Sequence, residues 1–340
     1  MKKIISLVCA LSLVLVACGG TSNNASTAAP ATAGGSDEPV RIGLSVASET
    51  TNFSQGLVVG ARMAAEKYDV ELQVVVADMD AAKQQQQCET LIAQGIQGIA
   101  ISPIDADAIG ETMRKIREAD IPNVVIDRAP NDMTNVDAFV AADDEQVGEI
   151  MAQTLVEGCE KYGVDEIKCI EIVGSLKDNS AMLKDKGIHN VKDELGINIV
   201  AQVNSEWDTE SCYNRLNDAI EACGGDFNAI ICPSDFLINT VLSCLEANGK
   251  KHTLGTAGAV IIVSGDGAPS GVKMVKEDYV YATINTDAFL YTELAIKTLA
   301  DIIRGNELEN PRILVQALVV TKEVAMTNEE IWGNVFADQA

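Results

Sequence analysis

From residue 40 onward the chain alternates short apolar runs with longer segments of helical periodicity. The first cycle predicts a strand over 41–47, a helix over 54–68, a strand over 71–77 and a helix over 81–94. Alternation of this kind, with short connections, is typical of a parallel sheet that carries helices on both faces. The pattern continues to a last predicted strand over 313–320.

The alternation divides into two series of similar size. The first ends with a strand over 136–142, and the second begins with a helix over 145–162 and reaches a strand over 260–264. Hydrophobic residues make up 47% of the chain and aromatic residues only 4%, which is typical of parallel strands packed through Ile, Val and Ala. We therefore predict an α/β protein with two doubly wound parallel-sheet lobes. Since ligands bind beyond the carboxyl ends of such strands, we expect a ligand cleft between the lobes.

The N-terminal segment predicts export from the cytoplasm. Two lysines precede an apolar run over 4–16, which as a helix is too short to cross a hydrocarbon layer of roughly 30 Å. The run ends at Ala17-Cys18, which resembles the lipobox of bacterial lipoproteins; a chance Ala-Cys pair is the alternative. We expect a lipoprotein signal peptide over 1–18, ending at a lipidated Cys18, and a flexible tether over 19–39. The folded part would then be extracytoplasmic and anchored to the cell membrane by lipid.

Charge and motifs exclude several classes of function. The formal net charge of −25 argues against a phosphate-neutralising surface and therefore against nucleic-acid binding. The sequence contains no P-loop, G-x-S-x-G or H-E-x-x-H motif. His189 and His252 are expected to be structural, because neither has a carboxylate or serine at triad-like spacing. We expect no catalytic residues, no cofactor and no metal site.

The cysteines leave two interpretations open. Seven follow residue 18, an odd number, so at least one stays unpaired within a monomer. Cys159 with Cys169, and Cys212 with Cys223, are close enough in sequence to be bridged, although spacing does not establish connectivity. Buried free thiols are the alternative. The seven are Cys88, Cys159, Cys169, Cys212, Cys223, Cys232 and Cys244.

Polar or aromatic side chains follow most of the predicted strands. Carboxylates, an arginine, small hydroxyls and two large rings suit a neutral polyhydroxyl ring, because charged groups bond its hydroxyls and aromatic faces cover its C–H faces. None of these groups is a candidate nucleophile. The segments are 50–53, 102–105, 127–128, 174–179, 207–208, 233–235 and 265–267.

Four segments carry a resemblance to a known family across residues 40–320. Through them the chain resembles the periplasmic sugar-binding proteins of type I, in particular the ribose-binding-like branch. The segments are Ile-Pro-Asn-Val-Val-Ile-Asp-Arg over 121–128, Ser102-Pro103 with Asp105 and Asp107, the strand end over 263–267, and an A-x-x-K-x-x-G spacing over 181–187.

The resemblance also implies how the lobes are joined. It implies a three-segment hinge, with crossings near residues 142–143, 286–287 and 312–314. The N-terminal lobe would then comprise 40–142 plus 287–313, and the C-terminal lobe 143–286 plus 314–330.

The same resemblance implies roles for five residues. In the family, an Asp-Arg pair after the fourth strand binds sugar hydroxyls, which corresponds to Asp127 and Arg128. An aromatic residue after the first strand stacks on the sugar ring, and Phe53 is in this position. Trp207 is expected to supply the second ring from the facing lobe, and Asp266 a carboxylate acceptor.

Further candidates mark departures from the family pattern. Ser102 and Ser234 stand where relatives often hold Asn, and Lys184 stands where they hold Arg, without its bidentate fork. Thr51 lies in the loop of Phe53. A last cleft residue would be Asn285, with Thr286 as its competitor. These differences put ribose itself in doubt as the ligand.

Together these features predict a substrate-binding component of an ABC importer. We expect a monomer that captures a monosaccharide or cyclic polyol by lobe closure and delivers it to the permease. A sensor that feeds a chemoreceptor or histidine kinase would use the same cleft and is the alternative. An exported enzyme on a flavodoxin-like scaffold is a third possibility, but it lacks a recognisable nucleophile or metal constellation.

Overall fold

The computed structural model describes residues 39–337. The predicted signal peptide, the lipidated Cys18 and the tether up to residue 38 lie outside the described residues. In chain order the elements are β1 (Val40–Val46), α1 (Asn52–Tyr68), β2 (Val70–Val76), α2 (Ala81–Ala93), β3 (Gly98–Ile101), α3 (Ile109–Glu118), β4 (Asn123–Ile126), β5 (Ala138–Ala142), α4 (Asp144–Lys161), β6 (Ile167–Val173), α5 (Asn179–Val191), β7 (Ile197–Asn204), α6 (Thr209–Ala222), β8 (Ala229–Ile231), α7 (Ile238–Ala247), β9 (Ile261–Asp266), α8 (Pro269–Lys276), β10 (Ala282–Asn285), α9 (Ala288–Ile303), β11 (Arg312–Val315), β12 (Leu318–Thr321), α10 (Lys322–Thr327) and α11 (Trp332–Ala337).

The first lobe contains a six-stranded sheet in the order β11-β5-β4-β3-β1-β2, with every neighbouring pair parallel. Successive residues of β3 point to opposite faces, so Ala100 packs with α1 and α9, whereas Ile99 and Ile101 pack with α2 and α3. Both faces of the sheet are therefore covered by helices, which explains the continuous apolar runs of its central strands.

The second lobe contains a six-stranded sheet in the order β12-β10-β9-β8-β6-β7. Helices α4 and α5 pack on one face, and α6, α7 and α8 on the other. The edge strand β12 runs antiparallel to β10, so this sheet is parallel except at that edge. The prediction of two doubly wound α/β lobes is confirmed, with this one exception in strand direction.

The chain passes between the sheets at three places. It leaves β5 for α4 after Ala142, leaves β10 for α9 through Thr286 and Asp287, and leaves β11 for β12 through residues 316–317. The predicted single strand over 313–320 is wrong, because it is two strands that belong to different sheets. The expected lobe boundary after residue 313 is also early, since residues 314–315 pair with β5 of the first sheet.

Aspartates cap five of the helices that follow strands. Asp80, Asp143, Asp178, Asp208 and Asp287 are N-caps whose carboxylates accept backbone N–H groups of the first helical turn. Such a cap satisfies donors that have no partner within the helix and contributes about 1 kcal/mol. The carboxyl ends of the strands are thereby held in fixed positions relative to the helices.

Two glycines allow α4 and α5 to cross closely. A Cβ at Gly148 would lie 2.1 Å from the Lys184 carbonyl oxygen, and a Cβ at Gly187 would lie 2.0 Å from the Glu145 carbonyl oxygen. The glycine of the A-x-x-K-x-x-G spacing is therefore a packing residue. It fixes the depth at which α5 holds the lysine of that motif.

The seven cysteines after residue 18 are free thiols, and all except the half-buried Cys223 are buried. The buried-thiol alternative therefore describes this structure. Within residues 39–337, no helix is both long enough and apolar enough to cross a membrane.

Candidate functional site

A cavity lies between the lobes, at the carboxyl ends of β1, β3 and β4 on one side and of β6, β7, β8 and β9 on the other. Its empty volume, including the part that opens to solvent, is about 660 Å³. Its lining comprises Ala47, Ser48, Thr50, Thr51, Phe53, Ser54, Met79, Ser102, Asp127, Arg128, Asp178, Ser180, Lys184, Trp207, Ser234, Phe236 and Asp266.

Asp127 and Arg128 follow β4 directly and line the cavity. Their side chains are 14% and 17% exposed, and the Arg128 Nε lies 3.4 Å from the Asp127 Oδ2. The Arg128 Nη1 is buried without a hydrogen-bond partner among the described residues. A buried guanidinium N–H without an acceptor is costly, so this group is placed to donate to a ligand oxygen.

Asp178 connects the charged and aromatic parts of the site. Its carboxylate is 1% exposed, and Oδ2 lies 2.8 Å from the Arg128 Nε. The same oxygen accepts the indole N–H of Trp207 at 2.9 Å, while Oδ1 accepts the Ser180 N–H at 2.9 Å and caps α5. The guanidinium carbon of Arg128 lies 5.9 Å from the Trp207 ring centroid, within cation–π range. One carboxylate therefore orients both Arg128 and Trp207.

Sequence reasoning did not select Asp178, although it lies in the segment 174–179 after β6. The available signal was its position as an N-cap directly before Asn179, Ser180 and Ala181. A helix cap needs only one carboxylate oxygen, so the second oxygen was free to orient cleft residues.

Asp266 closes β9 from the second lobe. Its carboxylate accepts the Ser234 hydroxyl, and its backbone carbonyl accepts the indole N–H of Trp332 at 2.8 Å. Behind it, the fully buried Asp235 accepts the Thr283 hydroxyl at 2.9 Å and the Ala268 N–H at 2.8 Å. These bonds hold the loops after β8 and β9 at the cavity wall.

Lys184 lies at the cavity wall on α5. Its Nζ is 3.7 Å from the Asp144 Oδ1, and both side chains are 8% exposed. Because the ion pair is buried, Lys184 is held as a charged donor at a defined position rather than on a solvated helix face.

Burial controls the protonation of these groups. It raises the pKa of Asp127 to about 6, against the opposing effect of Arg128. Burial also raises the pKa of Asp144 to about 7, against the opposing effect of Lys184. It raises the pKa of Asp266 as well. For Arg128 and Lys184, burial lowers the pKa, but neighbouring carboxylates outweigh it and the pKa is raised. Both cations therefore stay charged in the cavity.

The first lobe contributes Phe53, Thr51 and Ser102 to the lining. Thr51 caps α1, since its hydroxyl accepts the Ser54 N–H at 3.1 Å. The Phe53 ring lies edge-on to Tyr291 at 6.0 Å and to Trp332 at 6.2 Å between centroids. Phe53 is thus held by other rings while it borders the cavity.

Asn285 and Thr286 are not part of the lining. Asn285 is opposite Asp266 in the pairing of β10 with β9, and the Thr286 N–H donates to the Asp266 carbonyl at 3.3 Å. Both residues therefore lie beside Asp266, at the end of the neighbouring strand. The other nine predicted site residues are brought together around one space.

Backbone conformation also marks the site. Asp127, Trp207, Asp266 and Met79 line the cavity with φ values of 69°, 55°, 95° and 60°. Non-glycine residues rarely adopt positive φ, and such residues concentrate where a side chain must take one exact orientation. Met79, like Asp178, was not selected from the sequence.

The lobes touch each other beside the cavity. The Asn179 amide of the second lobe donates to the Ala129 carbonyl at 2.9 Å and to the Asn131 Oδ1 at 2.8 Å in the first lobe. The Ala106 N–H donates to the Lys177 carbonyl at 3.3 Å. These bonds join the two lobes beside the cavity.

Trp332 of α11, which no sequence motif marked as a site residue, packs at the junction of the lobes. It is fully buried, donates to Asp266 of the second lobe, and contacts Phe53 and Phe289 of the first lobe. The C-terminal helix therefore covers the junction, although it lies beyond the region of the predicted strands.

Comparison with known proteins agrees with this architecture. A family model described as a periplasmic binding protein domain matches residues 42–307. The ribose import binding protein RbsB of Bacillus subtilis is 25% identical over 310 residues, which cover 91% of this chain and 96% of that protein. The putative rhizopine-binding protein of Rhizobium meliloti is 30% identical over 220 residues, which cover 62% of this chain and 69% of that protein.

Solved structures show the same fold. The arabinose ABC transporter binding protein from Shewanella sp. ANA-3, bound to α- and β-L-arabinofuranose, matches with a TM-score of 0.79 at 20% identity and covers 88% of this chain and 97% of its own. The myo-inositol-bound ABC transporter solute binding protein from Bacillus halodurans C-125 matches with a TM-score of 0.76 at 21% identity. The match covers 87% of this chain and 99% of that protein. On the family match and on this two-lobed architecture, the chain belongs to the periplasmic binding protein domain family.

Proposed function

We propose that the protein is the substrate-binding component of an ABC importer and that it captures a monosaccharide or a related cyclic polyol. The observation that carries the proposal is the cavity between the lobes, where buried charged donors and acceptors stand beside aromatic rings. This combination suits a ring that carries hydroxyls on its edge and C–H groups on its faces.

The charges of the cavity favour an uncharged ligand. Three lining carboxylates, those of Asp127, Asp178 and Asp266, face two cations, Arg128 and Lys184. Arg128 already lies between two of the carboxylates. An anionic ligand would meet surplus negative charge, whereas a polyol can donate hydroxyl protons to the carboxylates and accept from the guanidinium.

Binding is coupled to closure in this proposal. The ligand contacts groups of both lobes, so it has differential affinity for the closed state and shifts the population towards it. Closure excludes water and strengthens the hydrogen bonds to Asp127, Arg128 and Asp266.

Several parts of the proposal rest on the family and on the N-terminal sequence. Membership of a periplasmic binding protein family supports an extracytoplasmic location, and importer-associated relatives support delivery to a permease. The lipid anchor at Cys18 and the monomeric state are proposed as well. The relatives are solute-binding proteins, which supports a role without catalysis.

A thermal-shift screen of the purified protein tests the proposal. Pentoses, hexoses and cyclitols form the test panel, and sugar acids and sugar phosphates form the anionic control. A neutral ligand at a hundred times its dissociation constant should raise the free energy of unfolding by roughly 2.7 kcal/mol. The Asp127→Ala variant should fold but lose the shift. A shift only with anions, or an undiminished shift in Asp127→Ala, would contradict the proposal.

Delivery needs a separate test in the source organism. Deletion of the gene should abolish uptake of the identified ligand at low external concentration, and re-expression of the wild-type chain should restore it. Normal uptake in the deletion strain would contradict the importer role while leaving ligand binding intact.

A further inference from the structure

Outside the ligand cavity, Glu171, Asp185 and His189 converge on the second lobe between β6 and α5. One potential ligand atom of each residue lies within 4.8 Å of those of the other two. Asp185 and His189 are one helical turn apart and share a face of α5. His189 has no carboxylate at triad-like spacing in the sequence, but the fold brings Glu171 from a neighbouring strand against it.

The distances suit a small cation. The His189 Nε2 lies 2.9 Å from the Glu171 Oε2 and 3.8 Å from the Asp185 Oδ1. Donor atoms about 2.0 Å from a tetrahedral Zn²⁺ lie roughly 3.3 Å from one another, between these two values. Movements of about half an ångström would bring both of these pairs to that separation.

A fourth side chain positions the carboxylates. Gln202 of β7 is opposite Glu171 in the pairing of β6 with β7. Its Nε2 donates to the Asp185 Oδ1 at 2.7 Å and to the Glu171 Oε2 at 3.1 Å. Hydrogen bonds of this kind commonly orient the ligands of protein metal sites.

Glu171 supplies an independent reason to expect a ligand. The residue is 0% exposed, and its carboxylate points into the cluster, where Oε2 reaches His189. The Oε1 of the same carboxylate is buried and has no hydrogen-bond partner among the described residues. A buried carboxylate with a free oxygen is costly unless a cation compensates it. His189 compensates it only when protonated.

We propose that Glu171, Asp185 and His189 bind a divalent transition-metal ion such as Zn²⁺. The imidazole and two carboxylates supply three ligands, and water completes the coordination from the side where His189 and Asp185 are 40% and 22% exposed. The ion would tie α5 to β6. The three residues are not part of the cavity lining, so this site is separate from the sugar site.

Isothermal titration of chelator-treated protein with Zn²⁺ tests the proposal. We expect one equivalent to bind, His189→Ala to abolish the binding, and Asp185→Asn to weaken it by at least roughly tenfold. His252→Ala is the matched control, because it removes the only other histidine and leaves the cluster intact. No saturable binding, or equal affinity in wild type and His189→Ala, would overturn the proposal.

Cobalt(II) identifies the ligands directly. The chain's free thiols are the competing ligands, and they would give a thiolate-to-cobalt charge-transfer band in the near ultraviolet. In the wild-type protein we expect d–d absorption without the thiolate band. In His189→Ala we expect the d–d absorption to be lost. A thiolate band would overturn the assignment. Folding of the variants is checked by circular dichroism and by an unchanged sugar-induced thermal shift, which also separates this test from the sugar-binding test.

Discussion

The two walls of the cavity differ in chemistry. The first-lobe wall presents mainly hydroxyl groups and one ring, and its charges are confined to the Asp127-Arg128 pair at the end of β4. The second-lobe wall carries Asp178, Lys184 and Asp266 together with Trp207 and Phe236. The first-lobe hydroxyls belong to Ser48, Thr50, Thr51, Ser54 and Ser102.

This difference shows that the charged network is assembled from both lobes. Arg128 belongs to the first lobe, yet its 2.8 Å ion-pair partner Asp178 belongs to the second. The Arg128 guanidinium therefore gains its Asp178 partner only when the lobes meet. Closure and charge pairing are one event, which makes the site specific for a ligand that fits the closed state.

Removal of Arg128 should have the largest effect, because its ion pair with Asp178 joins the two walls. Arg128→Ala leaves Asp178 as a buried carboxylate without its cation, a change that costs about 3–5 kcal/mol in buried pairs. We expect affinity for the sugar or polyol identified by the screen to fall by more than about 100-fold in calorimetric titration. Arg114→Ala, on the exposed face of α3, is the control. Unchanged affinity in Arg128→Ala would show that the two walls do not depend on each other.

In the ligand-free protein, two buried carboxyls should make stability depend on pH. The pKa of Asp144 is raised to about 7 and that of Asp127 to about 6, so the folded chain binds more protons than the unfolded chain between pH about 4 and about 7. Their contribution to stability is therefore present at low pH and is lost as pH rises through this window.

Asp144→Asn should remove its share of that loss. As pH rises from about 4 to about 7, the difference in free energy of unfolding between variant and wild type should shift in the variant's favour by roughly 2–4 kcal/mol. Urea unfolding at several pH values measures this shift. In the control, Asp193→Asn, an exposed carboxyl is replaced whose pKa is lowered by Lys192. A parallel pH profile for Asp144→Asn and wild type would contradict the prediction.

Two variants of Trp207 distinguish the contribution of its ring from that of its N–H bond to Asp178. Trp207→Ala removes the ring and its bond to Asp178, and we expect a loss of about 2 kcal/mol, or roughly 30-fold in affinity. Trp207→Phe keeps a ring but loses the N–H donor, so its affinity for the ligand should lie between those of wild type and Trp207→Ala. Equal affinities for all three proteins would show that the ring does not contact the ligand.

Asn179 should have the smallest effect, because it joins the walls without lining the cavity. Asn179→Ala removes bonds to the Ala129 carbonyl and the Asn131 side chain and should weaken binding by about 1 kcal/mol, or fivefold. Small-angle scattering should report a more open ligand-free protein. Asn190→Ala, on the same helix but bonded within the second lobe, is the control and should leave both measurements unchanged.

The strand and helix pattern was predictable because burial on both sheet faces imposes continuous apolar strands between amphipathic helices. The elements predicted over 41–47, 71–77 and 81–94 agree with β1, β2 and α2 to within one residue at each end. The final strand was not predictable in this way. The run over 313–320 is apolar except for Gln316, and the pairing with two different partner strands divides it.

Site residues that end or directly follow a strand could be predicted from the sequence. Residues that act by orienting another side chain could not. Asp127, Arg128 and Asp266 directly follow or end a strand. Asp178 matters because it faces Arg128 and Trp207, which lie 50 and 29 positions away in the chain. Likewise His189 and Glu171 meet across 18 positions.

The sequence by itself determined the α/β architecture, its division into two lobes and the segments that face the cleft, since periodicity and strand-end chemistry are local properties. Only the tertiary structure decided which charges are paired, that Asn285 and Thr286 lie beside Asp266 and outside the cavity lining, and that Trp332 covers the lobe junction. Those outcomes depend on distances between residues far apart in the chain, and such distances follow from how the sheets and helices pack rather than from any local pattern.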